Sequence, residues 1–115
     1  MRAIQIDSSD INIEAVREVK INNYKDYYPL LNCELFTVVM VQWEGEDISI
    51  FIDDEGLLKA GNYGRMVEDY PEPLFGNMVI CGGVDGEGET KSLPRSFNVM
   101  NIMQYIDEIK YQVRG

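Results

Sequence analysis

Apolar and polar residues alternate from the start of the chain: Ile4 and Ile6 against Gln5 and Asp7, then, after Ser8-Ser9-Asp10, Ile11, Ile13 and Ala15, with Val19 and Ile21 continuing the series. A period of two is that of a half-buried strand, so this stretch predicts two short antiparallel strands around a turn. Residues 23 to 32 concentrate Tyr24, Tyr27, Tyr28, Leu30 and Leu31. Pro29 limits them to a short helix or helical turn that the proline interrupts or redirects. Leu35 to Trp43 is the strongest strand, β-branched and apolar on both faces, which predicts a central position in a sheet. Glu44-Gly45-Glu46-Asp47 supplies a turn. Ile48, Ile50 and Ile52 then alternate with Ser49, Phe51 and Asp53, completing a hairpin closed by Asp53-Asp54-Glu55-Gly56.

Leu57 to Tyr70 has no clear period, and Gly61, Asn62, Gly64 and the following Pro71 and Pro73 predict a loop with one helical turn. Asn77 to Cys81 is another apolar strand, and it runs into the glycine-rich, turn-like segment 82–89. Ser96 or Asn98 can cap a terminal helix in which Val99, Ile102, Met103, Ile106, Ile109 and Val113 recur at spacings of three and four. The predicted class is α+β: a mainly antiparallel sheet of about five strands, covered by a C-terminal amphipathic helix, with a short helix before the central hairpin. At 115 residues, 1–115 is expected to be a single domain.

Charge changes this picture more than composition does. The net charge is −10, and residues 44 to 89 account for it, holding twelve acids against only Lys59 and Arg65. The acids sit in predicted turns and loops: Glu44, Glu46 and Asp47 in one; Asp53, Asp54 and Glu55 in the next; Glu68, Asp69 and Glu72 in the irregular stretch; Asp85, Glu87 and Glu89 among the glycines. Such a region repels nucleic acid and anionic membranes and suits a basic protein partner. Aromatic residues interleave with it: Trp43 beside Glu44, Tyr63 and Tyr70 flanking Glu68 and Asp69, and Phe75 after Pro73. They are either contact surface for a partner or core beneath a solvated acidic rim.

Candidate chemistry is sparse. The absence of histidine removes the commonest general base, the Ser-His and Cys-His pairs and His-based metal sites, so no enzyme is expected. Asp53 and Asp54 would be solvated and ionised on a hairpin turn. Gly83 to Thr90 has the glycine spacing of a phosphate loop, but Glu89 stands where the lysine belongs and would repel a triphosphate. Asp85, Glu87 and Glu89 alternate like the first ligands of a calcium loop without the rest of its spacing. No metal site and no cofactor are expected. Cys33 and Cys81 have no metal-ligand spacing and read as reduced, mostly buried thiols. The N-terminus lacks the apolar core of a signal peptide, and Leu35 to Val41 is far shorter than the roughly 20 residues a membrane helix needs. A cytoplasmic protein is expected.

Several segments together carry a resemblance: Met1-Arg2-Ala3-Ile4-Gln5-Ile6-Asp7, Ile52 to Leu58, Phe75 to Gly83, Asp85 to Glu89, and Ser92-Leu93. The chain resembles, from Met1 to about Ile106, a family of small domains of unknown function common in phages, plasmids and conjugative elements of bacteria. Residues 14 to 34 depart from the shorter linker of such domains. The resemblance implies context rather than catalytic or binding residues, and by analogy with small acidic proteins of mobile elements it implies action against host defence.

Three functions follow as expectations. The first is a non-enzymatic binding protein, an inhibitor of host defence, whose acidic surface docks on a basic, nucleic-acid-binding host protein. The second is a small-ligand binder in which an oligomer forms a pocket, lined by Tyr63, Arg65 and Tyr70, for an anionic, nucleotide-like signal, with Arg65 as anchor. The third is a structural or oligomerisation module, a homodimer formed through a strand edge or the terminal helix.

Overall fold

Alternation at the N-terminus produces the expected pair: Arg2–Ile6 forms β1 and Val16–Lys20 forms β2, antiparallel, with Arg2 opposite Lys20 and Ile6 opposite Val16. The structure, a computed structural model, describes residues 1–8 and 16–114, and over 108–112 it describes the backbone alone. The expected strand positions Ile11, Ile13 and Ala15 lie outside the described residues. Asn23 then starts a helical turn, its side chain accepting the Lys25 N–H at 2.9 Å while Asp26 accepts the Asn23 N–H at 3.2 Å. The turn Tyr24–Asp26 runs into the short helix Tyr27–Leu31 (α1). Pro29 is tolerated there because first-turn N–H groups have no intrahelical acceptor, and Asn32, at φ 51°, ends the helix in a left-handed cap.

Phe36–Trp43 (β3) and Glu46–Asp53 (β4) form the predicted hairpin. Its two-residue turn has Glu44 at φ 53° and Gly45 at φ 76°, the left-handed pair whose twist matches the flanking strands. The remaining strands are Tyr63–Val67 (β5), Leu74–Phe75 (β6), Met78–Gly82 (β7) and Ile106–Gln112 (β8). They assemble as a five-stranded sheet in the order β2-β1-β7-β4-β3 and a three-stranded sheet in the order β6-β5-β8, antiparallel throughout. The mainly antiparallel architecture and the short helix before the hairpin agree with the sequence reading.

Three expectations are corrected. No amphipathic helix closes the described chain: Ile102–Tyr105 is a short 3₁₀ turn, and residues 106–112 pair with β5 as a strand. Ile102 and Ile106 still enter the core, with Val99 and Met103 packed against it, so burial was legible where the element was not. Second, β3 is an edge strand. The middle of the sheet is β7, all five of whose residues are buried, whereas Val38, Met40 and Gln42 of β3 are exposed. Third, Leu57 to Tyr70 contains the strand β5 besides the expected helical turn, here Gly56–Leu58.

The five-stranded sheet is covered on both faces. On one, Ile4, Ile6, Val39, Val41, Trp43, Ile48, Ile50, Ile52 and Ile80 meet Val67, Ile106 and the 93–105 segment. On the other, α1 lays Tyr27 and Leu31 over Ala3, Phe51, Val79 and Cys81. No helix among the described residues is long and apolar enough to cross a membrane.

Candidate functional site

The acidic region is divided by the sheet. Antiparallel pairing places the β3–β4 turn beside the C-terminal end of β7, with Ile48 opposite Gly82, while Asp53 lies at the other end of β4. Seven residue steps from Glu46 to Asp53 separate the two ends by roughly 23 Å at strand rise. The first end gathers Glu44, Glu46, Asp47, Glu68 and Asp69. Gln42 links them: its backbone N–H donates to Asp69 Oδ2 at 2.9 Å and its side-chain amide to Asp47 Oδ1 at 2.8 Å. Beneath lies Trp43, fully buried, its indole N–H donating to the Glu68 carbonyl at 2.8 Å and its ring stacked on Tyr105 at 4.9 Å. Burial, then the charges of Glu44 and Glu68, raise the Tyr105 hydroxyl above its ordinary pKa.

The glycine loop leaves the sheet at the same end. A Cβ on Gly83 would lie 2.7 Å from that of Asp47, so the close passage of loop and strand requires glycine. A bridge from Val84 to Thr90 closes the loop. Asp85 spends its carboxylate on it, accepting the N–H groups of Glu87 at 2.8 Å and Glu89 at 3.0 Å. Those bonds, Glu89 first, hold its pKa below the usual carboxylate value. The Asp85 carboxylate is thus committed to the backbone of its own loop. Among the described residues, no three cysteine or carboxylate side chains come together as a metal site.

Asp53, Asp54 and Glu55 stand apart at the opposite end. Asp54 and Glu55 are exposed, but Asp53 is buried, contrary to the solvated turn expected for it. It shares the parity of Phe51, whose side chain lies under α1. Lys59 Nζ meets Asp53 Oδ2 at 2.7 Å and also donates to the Asn32 carbonyl at 2.7 Å, while the Glu55 N–H donates to Asp53 Oδ1 at 2.9 Å. The bond to Asp53 raises the Lys59 pKa. These groups and Tyr28, Pro29, Cys33 and Glu34 line an open cleft of about 480 Å³.

With this geometry in place, the comparison with known proteins gives one result: a family model, Domain of unknown function (DUF3846), matches residues 1–110. The chain belongs to that family. No curated protein and no solved structure matches it. The resemblance read from the sequence segments is therefore upheld at the level of a domain of unknown function.

In this DUF3846 domain Arg65 is buried, and Tyr63 and Tyr70 are half-buried. Arg65 is 1% exposed, with Nη2 3.4 Å from the Asp7 carbonyl, and Tyr70 packs against the main core. Tyr63 is half-buried in β5, its N–H donating to the Ser8 carbonyl at 2.8 Å. Cys33 and Cys81 are free thiols, half-buried and buried. Sequence reasoning missed Gln42 as the link between two acidic loops, because a glutamine on a strand gives no signal of a partner 27 positions away. It also missed Lys59 as partner of Asp53, which only the return of the chain after β4 brings into reach.

Proposed function

We propose that this domain is a non-enzymatic binding protein of a phage or mobile element, acting in the cytoplasm, whose acidic end docks on a basic, nucleic-acid-binding surface of a host protein. The observation that carries the reading is the gathering of Glu44, Glu46, Asp47, Glu68, Asp69, Asp85, Glu87 and Glu89 at one end of the sheet, all exposed. None of the eight takes part in the ion pairs that join Arg2 to Glu18 and Lys59 to Asp53. Exposed carboxylates beside a turn fixed by Gln42 and Trp43 can compete with phosphates for lysine and arginine.

Affinity capture from host lysate at low salt, followed by a salt titration, tests the reading. A basic nucleic-acid-binding protein should be retained, released by added salt and displaced by its own nucleic acid. Charge reversal by Glu46→Lys with Asp47→Lys should weaken capture, and Glu18→Lys, on β2 at the opposite edge of the sheet, should leave it unchanged. Capture of no basic protein, or equal sensitivity to both reversals, would sink the proposal.

A further inference from the structure

The outer edge of β3 has a chemistry unlike the rest of this surface. Trp43 and Glu46 flank the two-residue turn, so Val39, Val41 and Trp43 exchange hydrogen bonds with β4 while Phe36, Val38, Met40 and Gln42 turn their N–H and C=O groups outward. The Gln42 N–H, directed at Asp69 rather than at β4, fixes this parity. β3 ends the sheet order, so the outward groups of Phe36, Val38 and Met40 face no neighbouring strand among the described residues. From Phe36 to Gln42 there is no charge, proline or glycine, whereas β2, at the opposite edge, carries Arg17, Glu18 and Lys20. Charged residues are a common guard against strand addition, and β3 lacks them.

The apolar strip continues off the edge. Val38 and Met40 are 42% and 51% exposed, and on the same face a groove of about 380 Å³ runs past Phe36, Phe51, Tyr27 and Tyr24 to Glu89. Acids mark both ends of the edge: Glu34 and Asp54 where β3 begins, the Asp54 N–H donating to the Leu35 carbonyl, and Glu44 and Asp69 where it ends. A second copy paired antiparallel would set Glu34 and Asp54 of each chain against Glu44 and Asp69 of the other. Like charges disfavour that pairing, and the same arrangement favours an added strand with basic residues at its ends.

We propose that β3 is the docking edge for an extended, basic segment of a protein partner, which adds a sixth strand, sets apolar side chains over Val38 and Met40 and places lysine or arginine on the flanking acids. This rests on the acidic-docking reading and narrows it to strand addition. The probe is an eight-residue peptide alternating arginine and valine, compared with the same peptide N-methylated at every amide, which keeps the charge and has no N–H on either edge to pair. In about 20 mM salt, where charges are little screened, the unmodified peptide should bind about tenfold more tightly or better, and the Val38 and Met40 amides should exchange about tenfold more slowly in the complex. Val38→Pro removes an outward N–H without touching the β4 ladder and should abolish the difference between the peptides. Equal binding of both peptides with unchanged amides would overturn strand addition while leaving acidic docking intact. Binding of neither would overturn both. A dimer in sedimentation that Val38→Pro dissociates would replace the basic partner by a second copy.

Discussion

Tyr27 of α1 reaches down to Cys81 of β7, the hydroxyl 3.8 Å from the sulfur, and burial is the largest influence on both. It pushes the thiol up to about 11 and the phenol further above its own ordinary value. In the unfolded chain these groups release protons near 9.0 and 10.0. Above pH 9.0 the unfolded state therefore binds fewer protons than the native one, and stability falls as pH rises toward 11. Denaturation midpoints measured across that range should decline, less steeply in Cys81→Ala. A thiol reagent at neutral pH should modify Cys33 slowly, since burial raises that thiol too, and Cys81 only after denaturant is added. Asp53 illustrates what was hidden at this scale. Its neighbours in sequence mark a turn, but its parity with Phe51 carries it inward, where Lys59 compensates it. Lys59→Ala should cost about 1–2 kcal/mol in chemical denaturation, because Asp53 keeps only the Glu55 N–H.

Elements with a local cause were legible, and those decided by a distant partner were not. The hairpin follows from Glu44-Gly45 between two alternating runs, and its turn is testable. Nothing lies within 4 Å of a Cβ built on Gly45, so Gly45→Ala costs only the left-handed backbone, about 1 kcal/mol. Gly56→Ala should cost more, about 1–3 kcal/mol, because its Cβ would meet the Phe75 carbonyl oxygen at 1.9 Å. Thermal denaturation of the two variants should separate a conformational cost from a steric one. The terminal segment misled because Ile106, Ile109 and Val113 fit a helical period, while Ile109, Tyr111 and Val113 fit a period of two equally well. Pairing with β5 decides between them, and no local residue announces it. β3 misled for a related reason: apolar residues on both faces suggested a central strand, but an edge with an exposed apolar strip carries the same composition.

Across the whole molecule the acidic third of the chain does not form one surface. The sheet sends eight of its carboxylates to one end and Asp53, Asp54 and Glu55 to the other, and no pattern in the sequence could show this before strand order was known. Concentrating like charges has a cost that salt should reveal. At about 0.1 M the Debye length is about 10 Å, so added salt damps repulsion between neighbouring exposed acids. The melting temperature should therefore rise with ionic strength. Glu46→Gln, which thins the crowded end, should flatten that rise more than Asp54→Asn, which alters the sparser one. Binding to a basic partner through the same carboxylates must respond oppositely, weakening as salt rises, because attraction between unlike charges is screened together with repulsion between like ones. If Glu46→Gln flattens both slopes, one set of side chains both costs stability and attracts the partner. If it flattens the stability slope alone, the acidic end is a charge burden and docking lies elsewhere on the molecule.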